Sequence, residues 1–463
     1  MDERIYAAAP EAYITSFTRL LQSIGPQDAE QNLFHGIRNG IDHADLLAVR
    51  APKPALMVTT TNDFFSIQRA RETSGEVSEI YNAYGKPENF GMVEDIEGHA
   101  STKKNREAMY AFFREHLDNP GDPYDQDVEI PRDDQLRVTP TGQISTSLDG
   151  ETVFSLNRRK SEILVAALSE SRKDPERHLP EVVQAAKDIS GYIDPEETDE
   201  PVFTGRLQRE GYMIEKYFLK GEGDYVIPYL LMIPDQPDSR ALIYLHPEGK
   251  VAEASPGGEI EWFVKKGITV LAPDLVGTGE TGPGIFRGDA YIDGISYNIW
   301  FASMLIGRSI TGIRAGDITR LTRLLKARET TATIHALAKG EIAPELLHAA
   351  AFEPSISGVA LVEPCLSYRS IVMNRFYDPA YIHGSVPGAL QAYDLPDLAA
   401  SLVPRKLMLV NVKDAAAEAP DQAGTDKDLA VIRNVYRYMN ASDSLITGSG
   451  PGLYEFYSKW IGK

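Results

Sequence analysis

Asp63 and His99 are the residues of this sequence best placed to move a proton. Each follows a short apolar run. Ala55 to Thr61 precedes Asp63, Gly91 to Ile96 precedes His99, and both runs have the composition of buried strands. Between them, Ser66 to Tyr84 carries Ile67, Ala70, Val77, Ile80 and Tyr84 near helical spacing. Strand, Asp, helix, strand, His is the order in which a parallel α/β sheet presents an acid and a base at its carboxyl edge. An imidazole there can take a proton from a hydroxyl nucleophile while the carboxylate orients and stabilises it. Asp63 alone is also a candidate helix N-cap, because a helical run follows it. Its pairing with His99 at matching strand ends favours the catalytic reading. No Gly-x-Ser-x-Gly turn occurs to supply the nucleophile. Gly448-Ser-Gly-Pro-Gly comes near the pattern, but it is a turn close to the C-terminus and not a strand-to-helix turn in the right place.

Composition narrows the function classes. The 463 residues carry a net charge of -20, which argues against nucleic acid or an anionic membrane as partner. The single cysteine, Cys365, excludes an internal disulfide and a cysteine-based zinc site. It follows an apolar run and reads as a packing residue. No two histidines have the HExxH spacing, so no metal is expected. Gly277-Thr-Gly is too little for a nucleotide fingerprint, and no cofactor is expected. No apolar run is long enough to cross a membrane. The first residues lack a charged-then-apolar signal pattern. His35 and His43 read as surface or packing residues, and His178, beside Pro180, as exposed.

The elements that must position Asp63 and His99 come next. Ile5 to Ile14 reads as a core strand with almost no lead-in, as in a chain cut from something longer. Asn105 to Leu117 is expected to be a helix, with Met109, Phe112, Phe113 and Leu117 on one stripe. Asp118-Asn-Pro-Gly-Asp-Pro is a breaker and places a boundary near residue 120. Residues 121–200 read as a connecting module, with a hairpin over Leu136 to Leu148 and helices over Glu162 to Ser171 and Leu179 to Ser190. Residues 201–463 alternate strands and helices. The strands are expected at Tyr212 to Leu219, Tyr225 to Ile233, Ala241 to Leu245, Ile268 to Ala272, Thr331 to Leu337, Ile356 to Leu361 and Lys406 to Val412. The helices are expected at Ile260 to Lys266, Asn298 to Leu325 and Pro344 to Phe352. Such alternation indicates a parallel α/β sheet.

These residues carry a resemblance. Asp2-Glu-Arg-Ile-Tyr-Ala-Ala-Ala-Pro-Glu-Ala-Tyr-Ile-Thr-Ser-Phe, Ile24-Gly-Pro-Gln-Asp-Ala-Glu-Gln-Asn, Asp63-Phe-Phe-Ser-Ile and Glu97-Gly-His99 are similar to the α/β-hydrolase superfamily. Within it they resemble the carboxyl-terminal half of a domain of the acetyl xylan esterase-like, prolyl-oligopeptidase-related group. Some large members of that group hold two such domains in tandem. Tyr212 to Lys463, with Gly277-Thr-Gly-Glu-Thr, resembles a complete second domain. The implied fold is a three-layer, mostly parallel α/β-hydrolase sheet: a partial first copy in residues 1–120 and a complete but degenerate second copy in 201–463.

The resemblance places the acid at Asp63 and the base at His99. It places the nucleophilic serine upstream of the segment matching Asp2-Glu-Arg-Ile, so the chain is expected to be amino-truncated and inactive alone. In the second copy the nucleophile position falls on Gly340 and the acid position on Asp414, and no histidine follows His383 to act as base. His246 falls in the loop where the family builds its oxyanion hole, a possible binding residue. The implied activity is carboxylic ester hydrolysis on acylated carbohydrate, with no cofactor, by a secreted or periplasmic parent protein. The alternatives are a non-catalytic pseudo-hydrolase scaffold or binding module and a prolyl-oligopeptidase-type peptidase. A strand at Ile5 to Ile14 with one side unpaired would leave Ile5, Ala7 and Ala9 open to self-association.

Overall fold

The computed structural model describes residues 2–26, 29–196, 200–282, 290–418 and 422–462. Of the motif beginning at Ile24, residues 27 and 28 lie outside the described residues. The chain forms two compact units. The first runs to Gly150 and includes Phe301–Gly307; most of the chain from Glu151 onward forms the second.

The first unit is organised by two parallel strands, β1 (Ala55–Thr60) and β2 (Phe90–Asp95). Every side chain of β1 is buried, which is why its run is apolar without alternation. Helix α1 (Ile67–Ala83) makes the crossover and buries Ala70, Thr73, Val77 and Tyr81. Ser66 caps it, its side chain accepting from the Arg69 amide at 3.5 Å. Asp63 is therefore not the N-cap. Helix α2 (Lys103–His116) follows β2, and Asn105 donates from it to the Thr59 carbonyl at 3.0 Å.

The N-terminal segment pairs with β1 on its other side, through bridges Ala8 to Ala55 and Glu11 to Val58, both parallel. The expected strand over Ile5 to Ile14 is thus reduced to a few residues. Pro10 lacks an amide proton, and Ile5 and Tyr6 are exposed. The hairpin expected over Leu136 to Leu148 is not formed; two short helical turns, Asp133–Leu136 and Ile144–Ser147, take its place. Its apolar residues have no partner strand, and Leu136, Val138, Ile144 and Leu148 are all exposed.

The second unit opens with helices α3 (Val153–Ser171) and α4 (Pro175–Ser190) and then builds a nine-stranded sheet. Its strands are β3 (Val202–Arg209), β4 (Tyr212–Lys220), β5 (Val226–Pro234), β6 (Arg240–Leu245), β7 (Thr269–Pro273), β8 (Thr333–Lys339), β9 (Ile356–Val362), β10 (Lys406–Val410) and β11 (Leu445–Gly448). They lie in the order β11-β10-β9-β8-β6-β7-β5-β4-β3. From β7 to β11 all pairings are parallel; β3, β4 and β5 join antiparallel. This is an α/β fold with a large, mostly parallel sheet.

Alternate residues feed the two faces. Ala241, Ile243 and Leu245 join the core beneath α6 (Ile310–Lys326) and α7 (Ala343–Phe352), while Leu242 and Tyr244 join the one beneath α5 (Glu259–Val264) and the C-terminal helix Leu453–Ile461. The long helix expected over Asn298 to Leu325 is broken after Leu305. Gly307 adopts φ +74°, and Ser309 starts α6 by accepting from the Gly312 amide. His178 is buried, contrary to expectation, because Asp397 holds its Nε2 at 3.1 Å.

His43 is a packing residue with an energetic consequence. It is buried in the first unit, its ring 4.6 Å from those of Tyr13 and Phe17, and its Nδ1 accepts from the Thr15 amide at 3.0 Å. Burial pushes its pKa down to about 4. The folded state thus favours neutral His43, whereas the unfolded chain binds a proton below its ordinary value. The stability that neutral His43 contributes is present above about pH 6.5 and is lost as pH falls toward 4. His43→Asn keeps an acceptor for the Thr15 amide and removes the proton site. Denaturant titrations at pH 6.5 and 4.5 should show the variant losing less stability than the parent, by about 1.4 kcal/mol per pH unit.

Candidate active site

Asp63 and His99 meet in the first unit because β1 and β2 are parallel and in register, Thr60 opposite Asp95. The loops leaving the two strand ends are joined by backbone bonds, Thr61 N to Asp95 O at 2.8 Å and Asn62 N to Glu97 O at 2.9 Å. The Thr61 hydroxyl donates to Glu94 at 2.6 Å, and Arg71 of α1 pairs with the same carboxylate at 2.6 Å. The loops thus behave as one piece.

Within that piece Asp63 is fixed first. Its side chain is 1% exposed. One oxygen accepts from the Phe65 amide at 3.2 Å, and the other from the Thr60 hydroxyl at 3.1 Å. His99 Nδ1 lies 3.1 Å from each carboxylate oxygen. Its ring stacks on Phe64 with centroids 4.5 Å apart, and its side chain is 49% exposed. A carboxylate only accepts, so Nδ1 carries the proton and Nε2 presents its lone pair. Among the described residues no hydroxyl or thiol hydrogen-bonds to that Nε2. Orientation, tautomer and access are those of a general base.

The corresponding strand ends of the second unit are arranged differently. Its strand order reverses between β6 and β8, a topological switch point where open α/β sheets bind ligands. His246 follows β6 and Gly340 follows β8. Gly340 adopts φ +57°, and a Cβ built there would meet nothing nearer than Pro247 Cγ at 3.9 Å. The backbone therefore makes a sharp bend from β8 into α7, through a short turn at Gly340–Ile342. The cavity opening on Gly340 measures about 10 Å³, room for no more than a water.

His246 Nδ1 accepts from the Glu248 amide at 3.2 Å, and burial, helped by the Lys339 charge, lowers its pKa. Asp414, beyond β10, accepts from the Ala416 and Glu418 amides at 2.8 and 2.9 Å, shaping its own turn, and among the described residues no histidine is paired with it. Lys339 is held 2.9 Å from Glu259, which also accepts from Tyr244 and Tyr457. His348 of α7 is buried between the Pro344 carbonyl and the Tyr393 hydroxyl. Burial pushes the Cys365 thiol up to about 11, so it is a packing group.

The Gly277-Thr-Gly loop has a structural reason. The Asp274 carboxylate sits against Gly249 and Gly279, where a Cβ would clash, and accepts from the Lys250 and Glu280 amides at 2.6 and 3.0 Å and from the Lys250 ammonium. Gly448-Ser-Gly-Pro-Gly does lie between a strand and a helix, but on the edge strand β11. Among the described residues no group of three or more His, Cys, Asp or Glu is placed to hold a metal, and no helix is long and apolar enough to cross a membrane.

No family model matches the chain, and no curated protein matches it. Its architecture is similar to that of solved esterases. A Bacteroides fragilis protein provisionally named an acetyl xylan esterase shares 19% identity at TM-score 0.49, over 69% of this chain and 84% of that one. Acetyl xylan esterase 1 from Thermoanaerobacterium shares 16% at TM-score 0.42, over 61% and 92%. A glucuronoyl esterase from Solibacter usitatus shares 11% at TM-score 0.43, over 61% and 90%. At these scores the likeness says nothing about the chemistry of this chain.

The dyad makes a spectroscopic prediction. Nitrogen-15 NMR of the neutral form of His99 should show a protonated Nδ1 and a bare Nε2, and Asp63→Ala should release that form to mixed tautomers. The bend makes another. Gly340→Ser should fold, losing about 1 kcal/mol in denaturant titration because φ there is positive, and should gain no esterase activity, since among the described residues no histidine is paired with Asp414 as His99 is with Asp63.

Proposed function

We propose that the first unit carries the base and acid of a serine-type carboxylic ester hydrolase, and that its substrates are acylated carbohydrates. The observation that carries the reading is the Asp63–His99 pair: a buried, doubly anchored carboxylate holding the Nδ1 of an accessible imidazole at 3.1 Å. In the reaction a serine hydroxyl gives its proton to His99 Nε2 as its oxygen attacks the ester carbonyl. His99 then protonates the departing alkoxide, leaving an acyl-enzyme. Water, deprotonated by the same Nε2, cleaves the acyl-enzyme, and Asp63 stabilises the imidazolium in both halves. Among the described residues no serine hydroxyl is bonded to His99, and on this reading the nucleophile is brought to Nε2 when the site is complete. Esters are chosen over peptides on the sequence motifs around Asp63 and His99.

The second unit supports a second reading for itself, a degenerate, non-catalytic copy. A glycine at the bend, an acid with no histidine paired to it among the described residues and a cavity of only about 10 Å³ all favour it.

Acetyl-ester cleavage by the protein purified from its source cells, compared with the same gene carrying His99→Ala, tests the proposal. A drop of at least about 10³-fold is expected, with little change in thermal stability. Ester turnover that survives His99→Ala would refute it. A native preparation without ester turnover would refute it too, and the scaffold reading would then extend to the first unit.

A further inference from the structure

A cavity of about 650 Å³ opens in the second unit among α3, α4, α8 (Leu395–Ser401) and α9 (Gln422–Tyr438), a size common for small-molecule sites. None of the residues discussed above as hydrolase positions lines it. One wall is charged. Asp397, 1% exposed, binds Arg172 through Nε and Nη2 at 2.7 and 2.8 Å and His178 Nε2 at 3.1 Å. Asp428 binds Nη2 of Arg369 at 3.0 and 3.1 Å. Both carboxylates on the lining are therefore already committed to cations.

The cations are not fully committed in return. A guanidinium has five N–H donors in a fixed fork, and Arg172 and Arg369 each keep several without a partner. Lys427 also lines the cavity and has no ion-pair partner among the described residues. Donors without a partner among the described residues are thus left over. Val165, Leu179, Ala400, Val431 and Val435 give the lining an aliphatic side, with the polar Ser169, Lys173, Asn434 and Tyr438 beside it.

We propose that this cavity binds a small organic anion, with a carboxylate-type head on the Arg172, Arg369 and Lys427 side and an apolar body on the aliphatic side. A cation would meet guanidinium donors and an ammonium, with both lining carboxylates already engaged. A purely apolar molecule would cover guanidinium donors without replacing their water, which is costly. A sugar would leave the aliphatic wall unmatched. The inference does not rest on the ester reading, because it uses a different set of residues.

Calorimetric titration of the full chain with decanoate and 2-naphthoate, each against its uncharged partner, decan-1-ol and 2-naphthol, is the test. One anion per chain is expected, bound at least about tenfold more tightly than its neutral counterpart. Lys427→Gln, at an exposed position, should weaken the anion several-fold and leave the alcohol unchanged. Ala430→Trp fills the cavity from α9 and should abolish both; Ser169→Trp does so from α3 should the first variant not fold, as judged by thermal melting. Binding of only the aliphatic or only the aromatic acid supports the site and identifies its body. Equal binding of acid and alcohol, binding that persists in a folded tryptophan variant, or no binding at all would each overturn the proposal.

Discussion

The register of two strands is the constraint on which the first unit depends. β1 and β2 are parallel and paired from Ala55–Phe90 to Thr60–Asp95. A slip of one residue would turn every side chain of a strand to the opposite face and displace its end by about 3.3 Å. A hydrogen bond between Asp63 and His99 does not survive such a displacement. The buried side chains of β1, the bridges from Ala8 and Glu11, and the Tyr81 hydroxyl on the Lys53 carbonyl at 2.7 Å all resist the slip. Packing far from the imidazole thus sets the geometry at the imidazole. The backbone does the rest, since the Phe65 amide orients the carboxylate before His99 reaches it.

The second unit shows the same scaffold logic with another result. Its parallel strands also deliver loops to one edge, and the order reverses there as in ligand-binding α/β sheets. What stands at those ends is mostly committed elsewhere. Lys339 is tied to Glu259, Asp414 to its own turn, and His348 to a carbonyl and a phenol. Arg314 of α6, buried, bridges the Val276 carbonyl and Glu345 at 3.0 and 2.7 Å. These polar groups are tied to neighbours within the second unit, although Oε2 of Glu345 is buried without a hydrogen-bond partner among the described residues. Architecture supplies positions, and the side chains at the positions decide whether there is chemistry.

Much of this was legible in the amino-acid order. Apolar runs located β1, β2 and β4 to β10 within a few residues, because most of these strands are buried, although β2, expected to be buried, is half-buried along its whole length. β3 escaped notice because Val202–Arg209 is largely exposed and polar, and only pairing with β4 makes it a strand. β11 is four residues at a sheet edge, too short for any pattern. The apolar residues of 136–148 alternate like a hairpin, yet no neighbouring strand covers them. The break near Gly307 was written in the chain, a glycine followed by a capping serine, but the long apolar flanks hid it. His178 shows where local reasoning ends: its burial depends on Asp397, more than two hundred residues away. The Asp63–His99 pair was accessible because both residues sit just past strands whose adjacency the βαβ order implies. That His99 lacks a hydroxyl partner among the described residues needed coordinates.

The bend at Gly340 has a thermodynamic direction. A positive φ costs a residue with a Cβ about 1 kcal/mol more than it costs glycine. A catalytic side chain at such a turn is therefore held against the stability of its own domain, and selection for turnover is what keeps it there. With glycine at residue 340 that strain is absent, so any variant that places a Cβ there has to be retained against the stability of its own domain.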